Sequence, residues 1–585
     1  MEIKRNKVCL KIGGEAGEGV ATIGAMFSKC LKMCGLYVVS TNDFPSLIRG
    51  GHNTHTVRGD EDPIYSQTDT IDVLVALNKE TVLRHIGELG DGGAILYDEQ
   101  RAKFAEGEIM RKDVELIPVP MMKFALEAGN AMFFNTVALG ACLGVLSIDF
   151  AILEKILRRT FGRKGEEIVQ KNILAARKGY EHAHSLNGNL RIKISIVRPD
   201  NKIFMTGNDA LCAGAVKAGV KFVAEYPMSP SSSILHFMAA NENKHSIVVK
   251  HTEDEISAAN MITGAAVAGA RSMTATSGGG FSLMVEAMGL AGMCEAPIVI
   301  VDCQRPGPST CLPTHSEQGD LRFCLHASQG DFPRVVIAPG DVTEAFYETF
   351  HAFNVAELVQ TPVIILMDKY LSESGEAVEK FDTSSLKVDR GLLQSDEQME
   401  KAQGFKRYAV TESGISPRCI PGQKNGIHVA TSYEHDETGW TSEDAANRVA
   451  QVDKRARKLD AIPRSQIKPK IYGPEDSSVL VVSWGSTKMP VREAANQLAL
   501  EGIMVRHMHL VYLSPFPDKE VEAELKNAKK ATVIEMNSTG QLRGLIREKT
   551  GVQIQNALLK YDGRPFDPIH IKAHIRELMF RGNRR

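Results

Sequence analysis

What this 585-residue chain lacks narrows its possibilities first. Its ten cysteines are scattered, with Cys30 and Cys34 the nearest pair and no Cys-x-x-Cys anywhere. That excludes a dithiol redox motif, a zinc ribbon and an iron–sulfur cluster held by this chain, and it argues against a disulfide framework. On a helix, Cys30 and Cys34 read more simply as buried thiols than as metal ligands. No apolar run reaches membrane length: the longest, residues 136–148, holds two glycines and has the size of a core helix. The first twelve residues lack the unbroken apolar core of a signal peptide and read as a strand. No charge of one sign dominates, since 69 Lys and Arg face 71 Asp and Glu, so no global field draws nucleic acid or an anionic membrane. A cytoplasmic protein with neither of those partners is expected.

What is present is enough apolar material, 43% of residues, for several cores. Residues 1–190 alternate strands at 8–12, 36–39, 73–76 and 94–97 with helical stretches, as an α/β domain with parallel strands does. Residues 200–375 carry six strand-like runs, at 222–225, 247–249, 273–275, 298–301, 335–337 and 363–366, separated by helix-length segments; this predicts a doubly wound sheet. Periodicity fades over 376–470, which reads as an irregular linker or insertion. Residues 471–585 form a third α/β unit, with strands at 478–484 and 531–535 and a closing helix at 568–580. The expected fold class is therefore multidomain α/β, with three units and largely parallel sheets.

Two glycine loops invite a cofactor and fail on spacing. Gly13-Gly-Glu-Ala-Gly-Glu-Gly19 follows a strand and opens a helix, yet a dinucleotide fingerprint counted from Gly17 and Gly19 would need its third glycine at Thr22. Glu15 and Glu18 would also repel phosphate, so a tight turn is the better reading. Gly90-Asp-Gly-Gly93 imitates the start of a Mg-diphosphate motif, but Asn130 and Asn135 come too late to complete it. No Walker loop, zinc signature or Gly-x-Ser-x-Gly elbow is present, and no metal ligand is assigned.

Three segments that follow strands in 200–375 fall on one sheet edge, where α/β folds keep their ligands. In Tyr226-Pro-Met-Ser-Pro230, two prolines hold Ser229 on a stiff bend, with a helix N-cap at Ser231 or Ser232 as the plain alternative. In the proline-rich loop 303–315, Arg305 is presented rigidly after an apolar strand, either as a bidentate clamp for a small carboxylate or as half of a structural ion pair. In His251-Thr-Glu-Asp-Glu255, Thr252 and Glu255 stand in capping-box spacing, which accounts for them without any catalysis.

Taken together these segments resemble the α subunit of 2-oxoacid:ferredoxin oxidoreductases, of the type with a γ domain fused ahead of α. The loop at 13–19 with Phe44-Pro-Ser-Leu-Ile-Arg-Gly-Gly51 resembles the γ domain. Tyr226-Pro-Met-Ser-Pro230, Glu253-Asp-Glu-Ile-Ser-Ala258, Thr274-Ala-Thr-Ser-Gly-Gly-Gly-Phe-Ser-Leu-Met284 and Arg305-Pro-Gly-Pro-Ser-Thr310 follow in the family's order. The resemblance implies a γ-type domain at 1–190, a pyrimidine-type thiamine diphosphate-binding domain at 200–375 and a transketolase C-terminal-like domain at 471–585. It implies that Tyr226, Pro227 and above all Glu255 face the cofactor, with the Glu255 carboxyl on the aminopyrimidine N1′ and Ile256 and Met261 sheltering it. Arg305, Ser229 and Thr310 would bind the 2-oxoacid, with Arg49 or His52 supplying a second cation for a distal carboxylate. A separate β subunit would hold the diphosphate, Mg and a 4Fe-4S cluster. Coenzyme A would be a substrate, ferredoxin the electron acceptor, and two γα-β heterodimers would pair.

The implied reaction is CoA-dependent oxidative decarboxylation, of 2-oxoglutarate by preference. Pyruvate or another 2-oxoacid, and a non-catalytic scaffold for β, stay open at this point. Ser229 for the family's threonine, Cys311 for its glycine and Gly279 for its proline are departures at the substrate end.

Overall fold

The computed structural model describes residues 4–47, 50–104, 108–109, 111–186 and 192–580. Two compact units divide it, residues 1–205 with 373–381 and residues 206–372 with 382–585.

The first unit is built on an eight-stranded sheet in the order Glu115–Pro118, Leu89–Tyr97, Ile71–Ala76, Lys7–Glu15, His52–Asp60, Tyr37–Asp43, Gly375–Glu379, Lys202–Thr206. Lys7–Glu15 runs parallel to Ile71–Ala76, but His52–Asp60 is antiparallel to both of its neighbours. The sheet is therefore mixed, where strand–helix alternation predicted parallel strands. Residues 44–51 are too few to make a parallel crossover, so the chain must turn straight back. The returning strand is polar yet buried because its side chains find partners: His55 Nδ1 donates to Asn42 Oδ1, Arg58 donates to the Ser66 carbonyl at 2.7 Å, and Asp60 pairs with Lys7 at 2.8 Å. Behind the sheet, the apolar stretch foreseen as a core helix forms Phe134–Val145. It crosses the helix Glu166–Ser185 so closely that a Cβ on Gly140 would fall 1.9 Å from the Ala176 carbonyl oxygen.

The second unit carries a seven-stranded sheet in the order Val248–His251, Phe222–Glu225, Ser272–Thr276, Ile298–Gln304, Val363–Asp368, Val335–Ile337, Tyr512–Ser514. All pairs are parallel except the last. The six runs predicted between 200 and 375 are its first six strands; Ile298–Gln304, Val363–Asp368 and Val335–Ile337 are fully buried and open on unbroken apolar runs, as strands covered on both faces do, while the edge strand Val248–His251 is largely exposed. A five-stranded sheet follows, in the order Lys470–Tyr472, Val505–Leu510, Val479–Trp484, Ala531–Glu535, Asn556–Leu559, with the helix Pro568–Phe580 beside it.

Residues 382–470 contribute the helices Asp396–Lys401 and Ala445–Arg457 and a single turn at Arg464–Ile467. They are fastened to the rest of this unit by charge. Buried Glu295 receives Lys454 and Lys458, each at 2.7 Å, and buried Glu357 receives Arg390 and Arg418, each at 2.7 Å. Among the described residues no helix is long and apolar enough to cross a membrane.

Candidate active site

Parallel register brings four strand ends together along one edge of the seven-stranded sheet: Glu225 lies beside His251, and Thr276 beside Asp302. The three segments singled out in the sequence leave from these ends.

Glu255 opens the helix Glu255–Val267 and is 3% exposed. The capping box expected from Thr252 and Glu255 is not formed. Asp254 is the N-cap instead, its carboxylate accepting from the Ser257 amide at 2.7 Å, while the Thr252 hydroxyl donates to the Asp254 carbonyl at 2.9 Å and the Thr252 amide donates to the Glu225 carbonyl at 3.1 Å. A two-residue shift in the helix start decides this: Glu255 sits at the first helical position rather than the third and cannot reach back. Its Oε1 is buried without a hydrogen-bond partner. Ile256 and Met261, expected to shelter it, are 48% and 45% exposed on the other side of the helix. The shelter comes from the next helix, Gly278–Met293, where a Cβ on Gly280 would fall 2.6 Å from Glu255 Oε1 and 2.1 Å from Thr276 Oγ1. Only glycine leaves that carboxyl its room. Gly279 is different, since a Cβ there would meet only Met228 Sδ at 4.0 Å, so the absence of the family's proline changes little sterically.

Arg305 is half-buried at the end of Ile298–Gln304. Its Nη1 donates to the Ser229 carbonyl at 2.7 Å, which joins the arginine loop to the Tyr226-Pro-Met-Ser-Pro230 bend, and its Nε is buried without a partner. Ser229, Tyr226 and Thr310 are exposed and Pro227 is half-buried. The Tyr226 ring lies 6.3 Å from that of His251. Cys311 has φ 37°, in the left-handed region, so the loop keeps a glycine-like backbone where this chain has a side chain. Glu255, Arg305, Ser229, Tyr226, Pro227 and Thr310 thus all belong to the loops of one sheet edge.

Arg49 lies outside the described residues. His52 belongs to the first unit, with its Nε2 2.8 Å from that of His85. Burial, then the neighbouring His85, lowers it to about 4, so it is neutral near pH 7 and offers no positive charge to a distal carboxylate.

Sequence reasoning passed over three further acids at this edge. Glu225 ends its strand fully buried, with Oε1 accepting from the Ser231 hydroxyl at 3.1 Å and Oε2 without a partner; burial pushes it well above the usual carboxylate range. Ser231 thereby spends its hydroxyl on Glu225 and on the Met228 carbonyl at 2.8 Å, and it stands at the N-cap of Ser232–His245 without a side-chain cap. Asp302 interrupts an apolar strand, and Asp320 precedes the helix Leu321–His326. The available signal was a single acid inside or ending a β-branched run, which costs too much to bury without a reason.

Comparison with known proteins places this geometry. The chain is 31% identical to "2-oxoacid:ferredoxin oxidoreductase 2, subunit alpha" of Aeropyrum pernix over 99% of its own length and 98% of the relative's. It belongs to the 2-oxoacid:ferredoxin oxidoreductase α-subunit family. Three family models match in succession: pyruvate ferredoxin/flavodoxin oxidoreductase over residues 9–182, pyruvate flavodoxin/ferredoxin oxidoreductase, thiamine diphosphate-binding, over 213–454, and pyruvate:ferredoxin oxidoreductase core domain II over 477–571. This α subunit is also 28% identical to the 2-oxoglutarate oxidoreductase subunit KorA of Mycobacterium tuberculosis, over 97% of its own length and 91% of that chain. It superposes with a TM-score of 0.91 and 34% identity on a 2-oxoglutarate:ferredoxin oxidoreductase from Magnetococcus marinus, solved with 2-oxoglutarate, coenzyme A and succinyl-CoA bound, covering 98% of this chain and 100% of that one. As a member of the family it is an oxidoreductase subunit.

Proposed function

We propose that this chain is the γ/α subunit of a 2-oxoglutarate:ferredoxin oxidoreductase. With a β subunit it converts 2-oxoglutarate and coenzyme A to succinyl-CoA and CO2 and passes both electrons to ferredoxin; the reverse carboxylation runs when the reductant is strong enough. The names of the Mycobacterium tuberculosis and Magnetococcus marinus proteins support the substrate, and the match over 213–454 supports thiamine diphosphate. The division of labour proposed is a γ-type domain at 1–190, the pyrimidine-type domain at 200–375, an intervening segment at 376–470 and a transketolase C-terminal-like domain at 471–585. The β subunit carries the diphosphate, Mg and the 4Fe-4S cluster, two γα-β heterodimers pair, and the complex works in the cytoplasm beside its ferredoxin.

One observation carries the reading: the buried, unpartnered Oε1 of Glu255, in a pocket that glycine at 280 keeps open. A buried carboxyl oxygen without a donor is costly, and it persists where a ligand completes it. The residues therefore fit the pyrimidine half of thiamine diphosphate. When bound, that cofactor supplies the carbon nucleophile for the oxo carbon and the electron sink for loss of CO2. Glu255 holds or releases a proton at the pyrimidine nitrogen, Gly280 gives the ring access to it, and Tyr226 and Pro227 wall the approach. Arg305 receives the 2-oxoacid carboxylate in a bidentate fork, Ser229 and Thr310 add hydroxyl donors, and Arg49 is the candidate for the distal carboxylate.

The test is Glu255→Gln, which keeps the shape and removes the proton-sharing oxygen. Turnover with β and 2-oxoglutarate falls on the order of 10²–10⁴-fold, while the circular dichroism spectrum and β association are retained. Near-normal turnover would leave Glu255 without a catalytic part. A panel of 2-oxoacids assayed on the same complex separates 2-oxoglutarate from pyruvate.

A further inference from the structure

The strand Phe222–Glu225 ends on an acid that the reaction proposed above does not use. Glu225 and Ser231 are both fully buried, and among the described residues no Lys, Arg or His pairs with the Glu225 carboxyl. Its side chain meets one group, the Ser231 hydroxyl, 3.1 Å from Oε1, and Oε2 has no partner. The same hydroxyl lies 2.8 Å from the Met228 carbonyl, which also takes the Ser231 amide at 2.7 Å. The next carbonyl along the bend, that of Ser229, receives Arg305 Nη1 at 2.7 Å, and that of Pro230 receives Asn208 Nδ2 at 2.9 Å. The Glu225 carbonyl accepts from the Thr252 amide at 3.1 Å, so one residue borders both the Tyr226-Pro-Met-Ser-Pro230 bend and the segment that leads to Glu255.

We infer that Glu225 is a positioning residue: held as a neutral carboxylic acid, it donates to Ser231 Oγ rather than accepting from it, and so frees the Ser231 hydroxyl to fix the bend on which Arg305 rests. The part that Arg305 plays for substrate rests on the function proposed above.

A count of protons decides the direction. Two oxygen–oxygen contacts, of 3.1 and 2.8 Å, need two protons; a serine hydroxyl has one and a backbone carbonyl has none, so the second sits on the carboxyl. With Glu225 ionised, Ser231 serves only one of its two neighbours. Turned to Glu225, it sets a bare oxygen against the Met228 carbonyl; turned to Met228, it leaves a buried carboxylate without any donor. Protonation makes both contacts hydrogen bonds, from Glu225 Oε1 to Ser231 Oγ and from Ser231 Oγ to the Met228 carbonyl. Burial drives the carboxyl the same way, well above its usual range, with the Ser231 hydrogen bond opposing. The titratable groups that act on it are the Cys212 thiol, on the helix Gly207–Lys217, and the Cys303 thiol, on Ile298–Gln304, and burial keeps both uncharged. Held by both the amide and the hydroxyl of Ser231, the Met228 carbonyl fixes the peptide that follows, and with it the Ser229 carbonyl that receives Arg305. Loss of the hydroxyl arm loosens that mount, which weakens capture of a substrate carboxylate rather than the chemistry done on it.

Three variants test this in the complex with β. Glu225→Leu keeps most of the volume and removes the donor: KM for 2-oxoglutarate rises about tenfold while kcat changes less than about threefold, and Ser231→Ala, a smaller cut, moves KM the same way. Glu225→Gln, whose amide donates to Ser231 Oγ and cannot ionise, rescues KM to within about twofold of wild type. Infrared difference spectra of wild type against Glu225→Gln show a carboxylic C=O band that persists to about pH 8, far above the ordinary Glu value of 4.5, and Ser231→Ala shifts that band. A folded Glu225→Leu enzyme with wild-type KM, or a crystal structure of it in which Arg305 still meets the Ser229 carbonyl, would overturn the positioning role. Absence of the carboxylic band, or a Glu225→Gln enzyme as impaired as Glu225→Leu, would overturn the neutral acid. Where Glu225→Leu does not fold, Ser231→Ala decides in its place, and a wild-type KM there counts against the inference. If the wild-type complex turns over no 2-oxoacid, the proposed function fails, while the infrared band and the Arg305–Ser229 contact in the variants' crystal structures still decide the role of Glu225.

Discussion

Asp254 and Glu255 are adjacent acids with opposite environments, and one helical position separates their work. Asp254, at the N-cap, is half-buried and satisfied; the Ser257 amide holds its carboxyl below the ordinary range. Glu255, one residue on, is turned inward and left without a partner. Asp254→Ala therefore removes a cap without touching the pocket: thermal unfolding drops by about 2–4 °C while turnover in the complex is retained. The cap's contribution is complete above the ordinary Asp value of about 4 and fades as pH falls below it, so wild type and variant converge in acid. Loss of turnover in a folded Asp254→Ala protein would mean that the two acids share one role. The same contrast explains why Thr252-x-x-Glu255 misled as a pattern: its spacing suits a capping box, but the helix starts two residues later than that reading requires.

At the scale of elements, residues 382–470 show what fastens a segment with little apolar periodicity. Glu295 follows the helix Gly278–Met293 fully buried, and Lys454 and Lys458, on Ala445–Arg457 and the turn after it, both reach its carboxylate. Burial alone would raise Glu295, yet Lys458, Lys454 and Arg407 overcome it and hold the carboxyl at about 2. Glu295→Gln leaves two buried ammonium groups without their counter-charge and destabilises the unit by about 3–5 kcal/mol, read from denaturant unfolding. The wild-type contribution is complete above the unfolded value of 4.5 and lost as pH falls toward 2, so the gap between the two proteins closes in acid. A Gln variant as stable as wild type at pH 7 would show the cluster to be bystander charge.

Legibility in the sequence divides along the same line. The runs at 222–225, 298–301 and 363–366 were readable because strands covered on both faces are continuously apolar. His52–Asp60 and Val505–Leu510 were not, because their buried polar residues pair across the sheet or within the core: His55 with Asn42, and His507 and His509 with the Ser483 hydroxyl at 2.7 and 3.1 Å. Periodicity cannot foresee a partner that only the fold supplies. In the proposed site, motif order points to Glu255 and Arg305, whereas Asp302 and Glu225 look like interruptions of strands until burial is known.

Across the whole molecule, the chain passes between its two units three times, near residues 205, 372 and 381, and the short return places Gly375–Glu379 in the first unit's sheet, antiparallel to Tyr37–Asp43. That strand is a separate test of whether each unit keeps its own stability, because each has its own buried core. Gly375 has no spare room: a Cβ there would lie 2.4 Å from the Phe204 ring and 2.8 Å from Ser40 Oγ, all within the first unit. Gly375→Val forces the Phe204 ring and the strand apart at a cost of about 1–3 kcal/mol. Hydrogen exchange followed by mass spectrometry then shows faster exchange in peptides covering Tyr37–Asp43 and Lys202–Thr206, with Ile298–Gln304 unchanged. Because the pocket around Glu255 lies wholly in the second unit, binding of thiamine diphosphate to the complex with β is expected to survive this substitution. Equal acceleration of exchange in both sheets would show instead that the units unfold together, and the inserted strand would then couple them rather than merely complete one sheet.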